Sequence, residues 1–232
     1  MKNKNLTIWP KQLFYACWNA LYPPHCLHCE KNLDEQNLLC PACLLLLELI
    51  EPSSRCRYCF TSEEVSPKWS ICRNCRRQTQ LVKGFCAAFD EIGPAFDLLR
   101  LFRSGKIDLS ESLSGYMYLQ FIRLNWPAPD LIVPIAGSFS RWLKRGYHPS
   151  NLLAKEMGNY LQRPFSNVLK RDSYQTEKPK FSLKKGVDIR DKIVLLVDDW
   201  YDSGETITQA SVALHTGAPE KIYAITMTRK ME

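Results

Sequence analysis

The sequence predicts an α/β protein, a mainly parallel, doubly wound sheet preceded by a small cysteine-rich module. Three observations carry that expectation. Aliphatic, β-branched runs at 130–135 and 193–197 read as strands buried on both faces, as parallel sheets require. They alternate with apolar-periodic stretches of helical length, the order of a sheet with crossover helices. Ahead of them, eight of ten cysteines fall in four C-x-x-C pairs: Cys26/Cys29, Cys40/Cys43, Cys56/Cys59 and Cys72/Cys75. The expected division is 1–25, 26–80 and 81–232.

Within residues 1–25, Leu6, Trp9, Leu13, Phe14, Trp18 and Leu21 share one side of a short amphipathic helix, expected to dock on the rest of the protein. In residues 26–80 the cysteine pairs are separated by ten, twelve and twelve residues. Two-residue spacing lets both sulfurs of a tight turn face one metal, and two such turns complete a tetrahedron. The expectation is two structural zinc ions, one on Cys26, Cys29, Cys40 and Cys43, the other on Cys56, Cys59, Cys72 and Cys75. A crossed pairing has the same spacing and stays open. So does replacement of a thiolate by His25 or His28. Glu30 and Phe60 stand where a knuckle ordinarily carries glycine. Cys17 and Cys86 fall outside the pattern and read as small buried residues.

Past Gln78 the composition changes. Phe85–Phe89 reads as a strand. Pro94 opens a helix carrying Phe96, Leu98, Leu99, Leu101 and Phe102. A second helix is expected over Leu109–Leu124, and a buried strand over Asp130–Ile135. Ser138–Tyr147 reads as a loop with three cations, Arg141, Lys144 and Arg145, suited to a pyrophosphate leaving group. A helix over Asn151–Leu161 and a short strand at Val168–Lys170 follow. Lys221–Thr228 is expected to close the sheet.

Of 232 residues 45% are hydrophobic, enough for a real core. The formal charge of +7 is spread along the chain, and thiolates on zinc would offset part of it, so basicity is weak support for nucleic acid. No uninterrupted apolar run approaches the ~20 residues of a membrane span, and the N-terminus lacks a secretory signal pattern. A cytoplasmic protein is expected, which also argues against disulfides.

The chemistry concentrates at the end of the strand at 193–197. Asp198 and Asp199 supply two carboxylates for vicinal hydroxyls. Asp202, Ser203, Gly204, Glu205 and Thr206 then form a turn that opens a helix, where free amides and the helix dipole hold a phosphate. These residues resemble the phosphoribosyl-pyrophosphate (PRPP) motif of type I phosphoribosyltransferases. The resemblance implies that Asp198 and Asp199 bind ribose, that 202–206 bind the 5′-phosphate, and that Mg2+ accompanies PRPP.

With the cysteine knuckles, the strand ending in proline and Arg145-Gly146-Tyr147, residues 20–230 resemble the ComF competence family. That resemblance implies a link to single-stranded DNA uptake in natural transformation, with a helicase partner. Some positions depart from the pattern. His148 replaces a usual Asn, Trp200 a small aliphatic residue, and Asp202 a usual Thr. The mobile loop is shortened to Ser173–Asp188, where Gln175 alone matches. Asp202 reads either as a general base or as a helix cap. Two further readings stay beside PRPP chemistry. One is a catalytically inactive nucleic-acid-binding protein, stacking bases on Tyr58, Phe60 and Trp69 and holding phosphates with Lys68, Arg73, Arg76 and Arg77. The other is an adaptor docking a helicase through its zinc module.

Overall fold

The computed structural model describes residues 23–34, 37–66, 68, 70–172 and 180–231. The helix expected within 1–25 lies outside the described residues, as do Cys17, Trp69 and Gln175. The chain forms two compact units, 1–47 and 48–232.

In the first unit Leu27 N donates to Leu38 O at 2.9 Å, and α1 (Pro41–Leu45) starts at a proline preset for a first turn. The second unit opens with a 3-10 turn (Pro52–Ser54). The β1 (Val65–Ser66) and β2 (Ile71–Cys72) hairpin and α2 (Arg73–Arg76) follow, and then β3 (Gly84–Asp90). Two helices, α3 (Gly93–Ser104) and α4 (Leu109–Ile122), lead to β4 (Leu131–Pro134). Next come α5 (Phe139–Arg145) and α6 (Pro149–Leu161), then the antiparallel pair β5 (Leu169–Arg171) and β6 (Phe181–Leu183). The unit ends with β7 (Ile193–Tyr201), α7 (Glu205–His215) and β8 (Lys221–Arg229).

The central sheet is parallel throughout, in the order β3-β8-β7-β4. A parallel bridge from Ile132 to Phe165 extends it beyond β4. The crossover β4–α6–Phe165 moves one way across the sheet and β7–α7–β8 the other. Right-handed crossovers then place α6 and α7 on opposite faces, and the sheet is doubly wound. Helix α4 packs on α6.

Two expectations change. Lys221–Thr228 does not close the sheet but lies inside it, between β3 and β7. Its burial is near-continuous rather than alternating, as suits a strand covered on both faces. The strand near Val168 pairs with β6 and stands outside the central sheet.

In β3 the side chains of Phe85, Cys86, Ala87, Ala88 and Phe89 are all buried. The small central trio leaves room for α4, and Tyr116 from that helix meets Phe89 edge-on at 5.3 Å. Each large apolar side chain buried in this way contributes about 1.5–3 kcal/mol. Among the described residues no helix is long and apolar enough to cross a membrane.

Candidate functional site

The eight knuckle cysteines converge in two clusters with the sequential pairing, Cys26/Cys29/Cys40/Cys43 and Cys56/Cys59/Cys72/Cys75. The crossed arrangement is set aside. Neither cluster includes a histidine, so His25 and His28 replace no thiolate. The Cys29–Cys40 and Cys59–Cys72 sulfurs are each 3.7 Å apart. Thiolates about 2.3 Å from a tetrahedral zinc have edges of about 3.8 Å, so the donor set and its spacing fit that ion. Glu30 and Phe60 adopt the left-handed turn that glycine usually supplies, each with φ +59°. In the second cluster Cys75 N donates to Cys72 Sγ. In the first, burial opposes the Cys26 thiolate, but neighbouring backbone amides outweigh it and lower its pKa to about 6.

Strand β7 runs past the two acids to Tyr201, because Trp200 and Tyr201 still pair with Thr228 and Arg229. Asp198 and Asp199 therefore lie within the paired length of the strand rather than beyond its end. Consecutive strand residues face opposite sides, and the two carboxylates have different company. Asp199 is buried and accepts from Arg103 Nε at 2.6 Å. The Arg103 guanidinium also lies 5.3 Å over the Trp200 ring, whose Nε1 donates to Glu91 at 2.8 Å. Burial opposes the Arg103 charge, yet Asp199, Asp198 and Glu91 together raise its pKa. Burial, and then the Asp199 carboxylate, hold Asp198 well above the usual carboxylate range.

The turn after β7 brings its backbone round at Gly204, with φ +79°, and α7 begins at Glu205. Gly204 is the N-cap residue and the cap has no side-chain hydrogen bond, so Asp202 is not the helix cap. Asp202 is instead exposed and paired with Lys230 at 3.1 Å. The first amides of α7 have no intrahelical acceptors and face the turn. Tyr201, Asp202, Ser203 and Gly204 line a cleft of about 750 Å3, closed on its other side by Tyr58, Cys59, Arg73 and Arg77 of the second knuckle.

The three expected cations sit on a helix, not a loop. Ser138 Oγ accepts from Arg141 N to cap α5, and Gly146 ends it with φ +79°. Arg141, Lys144 and Arg145, at i, i+3 and i+4, share one exposed face. Tyr147 donates to Phe102 O, tying the end of α5 to α3. A Cβ on Gly137 would overlap the His148 ring. Burial, then Arg145, lowers the pKa of that imidazole.

Sequence reasoning missed two arginines. Arg103 ends an amphipathic helix, and Arg171 ends β5. Burial and nearby Arg141 lower the Arg171 pKa, while Asp198 opposes them. Arg171 thus lies within electrostatic reach of both Arg141 on α5 and Asp198 on β7. The last-turn position of Arg103 beside the buried Phe102 was its only sequence signal; for Arg171 there was none.

The parallel doubly wound sheet is of the phosphoribosyl transferase type, with Asp198, Asp199 and the turn at 202–206 at the carboxyl end of β7. Residues 119–232 match the family model of the phosphoribosyl transferase domain. The chain is 25% identical over 225 residues to Competence protein F of Haemophilus influenzae, across 88% of this chain and 96% of that protein. With two four-cysteine clusters ahead of a phosphoribosyl transferase domain, the chain is a homologue of Competence protein F. Among solved structures, a purine phosphoribosyltransferase from Pyrococcus horikoshii aligns over 53% of this chain and 72% of its own. Its identity is 19% and its TM-score 0.37. A hypoxanthine-guanine phosphoribosyltransferase from Bacillus anthracis aligns over 53% and 70%, at 20% identity and a TM-score of 0.38.

Proposed function

We propose that the chain binds PRPP with Mg2+ and transfers or senses its phosphoribosyl group. The observation that carries this reading is the turn at 202–206, which opens α7 with Gly204 at φ +79° and lines a cleft through Asp202, Ser203 and Gly204. Amides of that turn, with the Ser203 and Thr206 hydroxyls, hold the 5′-phosphate. Asp198 and Asp199 take the ribose hydroxyls. Asp199 keeps its Arg103 contact, since an ionised carboxylate has about four acceptor sites. Arg141, Lys144 and Arg145 stabilise the pyrophosphate, with Arg171 beside them. Mg2+, when bound with PRPP beside Asp198 and Asp199, would supply positive charge that favours departure of the pyrophosphate.

In transfer, the bond from C1′ to pyrophosphate oxygen breaks and its electron pair leaves with pyrophosphate. An acceptor lone pair forms the new bond to C1′. Asp202, held beside Lys230, takes the acceptor's proton. Two zinc ions on the four-cysteine clusters are structural, since four thiolates leave no open position.

We further propose a cytoplasmic role in single-stranded DNA uptake beside a helicase, a reading that starts from the similarity to Competence protein F. The second, non-catalytic reading rests on Tyr58, Arg73 and Arg77 lining the same cleft. Phe60 is buried and offers no stacking face. One experiment separates the readings. PRPP with Mg2+ should raise the melting temperature of the full chain, and the Asp198→Ala/Asp199→Ala double variant should lose that shift. A shift retained by the double variant removes the ribose assignment. A salt-sensitive shift with an oligonucleotide, and none with PRPP, favours the second reading.

A further inference from the structure

Phe60 holds a backbone conformation that a bulky side chain rarely adopts, with φ +59° one residue past Cys59. Glycine would relieve it. The ring nevertheless occupies a defined place: it is 2% exposed and meets Phe85 edge-on, with centroids 6.3 Å apart. Phe85, near the start of β3, stacks on Tyr201 at 4.3 Å and 25°. Tyr201 ends β7, and its hydroxyl lies 2.7 Å from where a Cβ on Gly204 would stand. Three rings therefore join the second metal cluster to the residue around which the 202–206 turn is bent.

Hydrogen bonds run parallel to the rings. Phe85 N donates to Arg57 O at 2.8 Å, inside the Cys56/Cys59 knuckle. Arg55 Nη2 pairs with Asp90 at 2.9 Å, and Asp90 reaches Arg229 at 3.4 Å, beside the Tyr201–Arg229 register. Cys59, Cys72 and Cys75 also border the cleft that ends at Ser203 and Gly204.

We propose that the second four-cysteine centre and the 202–206 turn are coupled sites, with Phe60, Phe85 and Tyr201 as positioning residues between them. Metal at the centre holds the knuckle turn, and the knuckle turn holds Phe60 against Phe85. That contact seats Tyr201 under Gly204 and presets the amides for a sugar phosphomonoester. Strained conformations persist where the surroundings over-determine them, and here the metal and Phe85 do so from both sides. Coupling is reciprocal: a phosphate on the turn tightens metal binding by the factor by which the metal tightens phosphate binding. The ligand half of this inference rests on reading the turn as a phosphate cradle; the mechanical half does not.

Phe60→Gly in the full, zinc-loaded chain tests it, because the change removes the ring while easing the knuckle backbone. Three quantities are read: zinc transfer to a chromophoric chelator, affinity for ribose 5-phosphate, and hydrogen exchange of amides 203–206 without ligand. Zinc should leave no faster than from the wild type. The amides should exchange about tenfold faster and ribose 5-phosphate should bind about tenfold more weakly, within the range of measured couplings. Phe85→Leu should give the same loosening, and it decides the matter if Phe60→Gly fails to fold. Unchanged exchange at 203–206 in the variants overturns the coupling, as does faster zinc loss with an unaltered turn. If the wild type binds no ribose 5-phosphate, the phosphate-cradle reading falls, and the exchange measurement still decides whether metal and turn are linked.

Discussion

Asp198 reverses the usual pH behaviour of a carboxylate. Burial, and then Asp199, raise its pKa well above the ordinary range. The folded chain therefore keeps a proton that the unfolded chain has released, and this group's contribution to stability falls as pH rises from about 4 through the folded pKa. Asn imitates the protonated form. Asp198→Asn should raise the melting temperature at pH 7 by about 3 °C, roughly 1 kcal/mol for a domain of this size, and flatten its pH dependence. It should also lose the response to PRPP with Mg2+. Melting curves between pH 4 and 9 check both, and a variant that melts lower than wild type at pH 7 refutes the first. The acids themselves were legible as a doublet after an apolar run. Their inequality was not, because it comes from Arg103, 96 residues away in sequence. Only packing brings that guanidinium to the strand.

At the level of elements, Gly204 and Gly146, two of the left-handed glycines, share a φ of +79° but differ in surroundings. A Cβ at Gly146 meets nothing within 4 Å, whereas at Gly204 it would press on the Tyr201 ring and hydroxyl. Gly146→Ala should cost only the backbone term, about 1 kcal/mol. Gly204→Ala should cost more and also displace the turn. Equal losses in chemical denaturation would show that Tyr201 yields freely. Most strands and helices were legible because aliphatic runs and apolar spacing survive in the sequence. Helix α5 was not, although Ser138 and Gly146 are ordinary start and stop residues. Seven residues between small flanking residues, with no buried side chain, present no apolar stripe. Local capping forms this helix without one. The burial of β8 was misjudged for the opposite reason: its sequence alternates, but sheet order places it inside.

Across the whole molecule, compactness and motif draw different borders. Motif spacing suggests 80/81, while the compact unit begins at Glu48. Several ties cross 80/81: Ile50 N to Ala88 O at 3.0 Å, Gln120 Nε2 to Ile50 O at 2.9 Å, Arg55 to Asp90, and Phe60 to Phe85. A fragment of residues 48–232 with zinc should therefore melt cooperatively and at higher temperature than one of 81–232. Equal melting of the two would favour the border at 80/81. The sheet also contains a concealed reporter of its own opening. Cys86 is 0% exposed at the centre of β3, and burial raises its thiol pKa well above the ordinary value. An alkylating reagent should spare it while stripping of metal bares the knuckle sulfurs, so its modification would mark the rarer event in which the β3 edge of the barrier layer comes apart and lets solvent through.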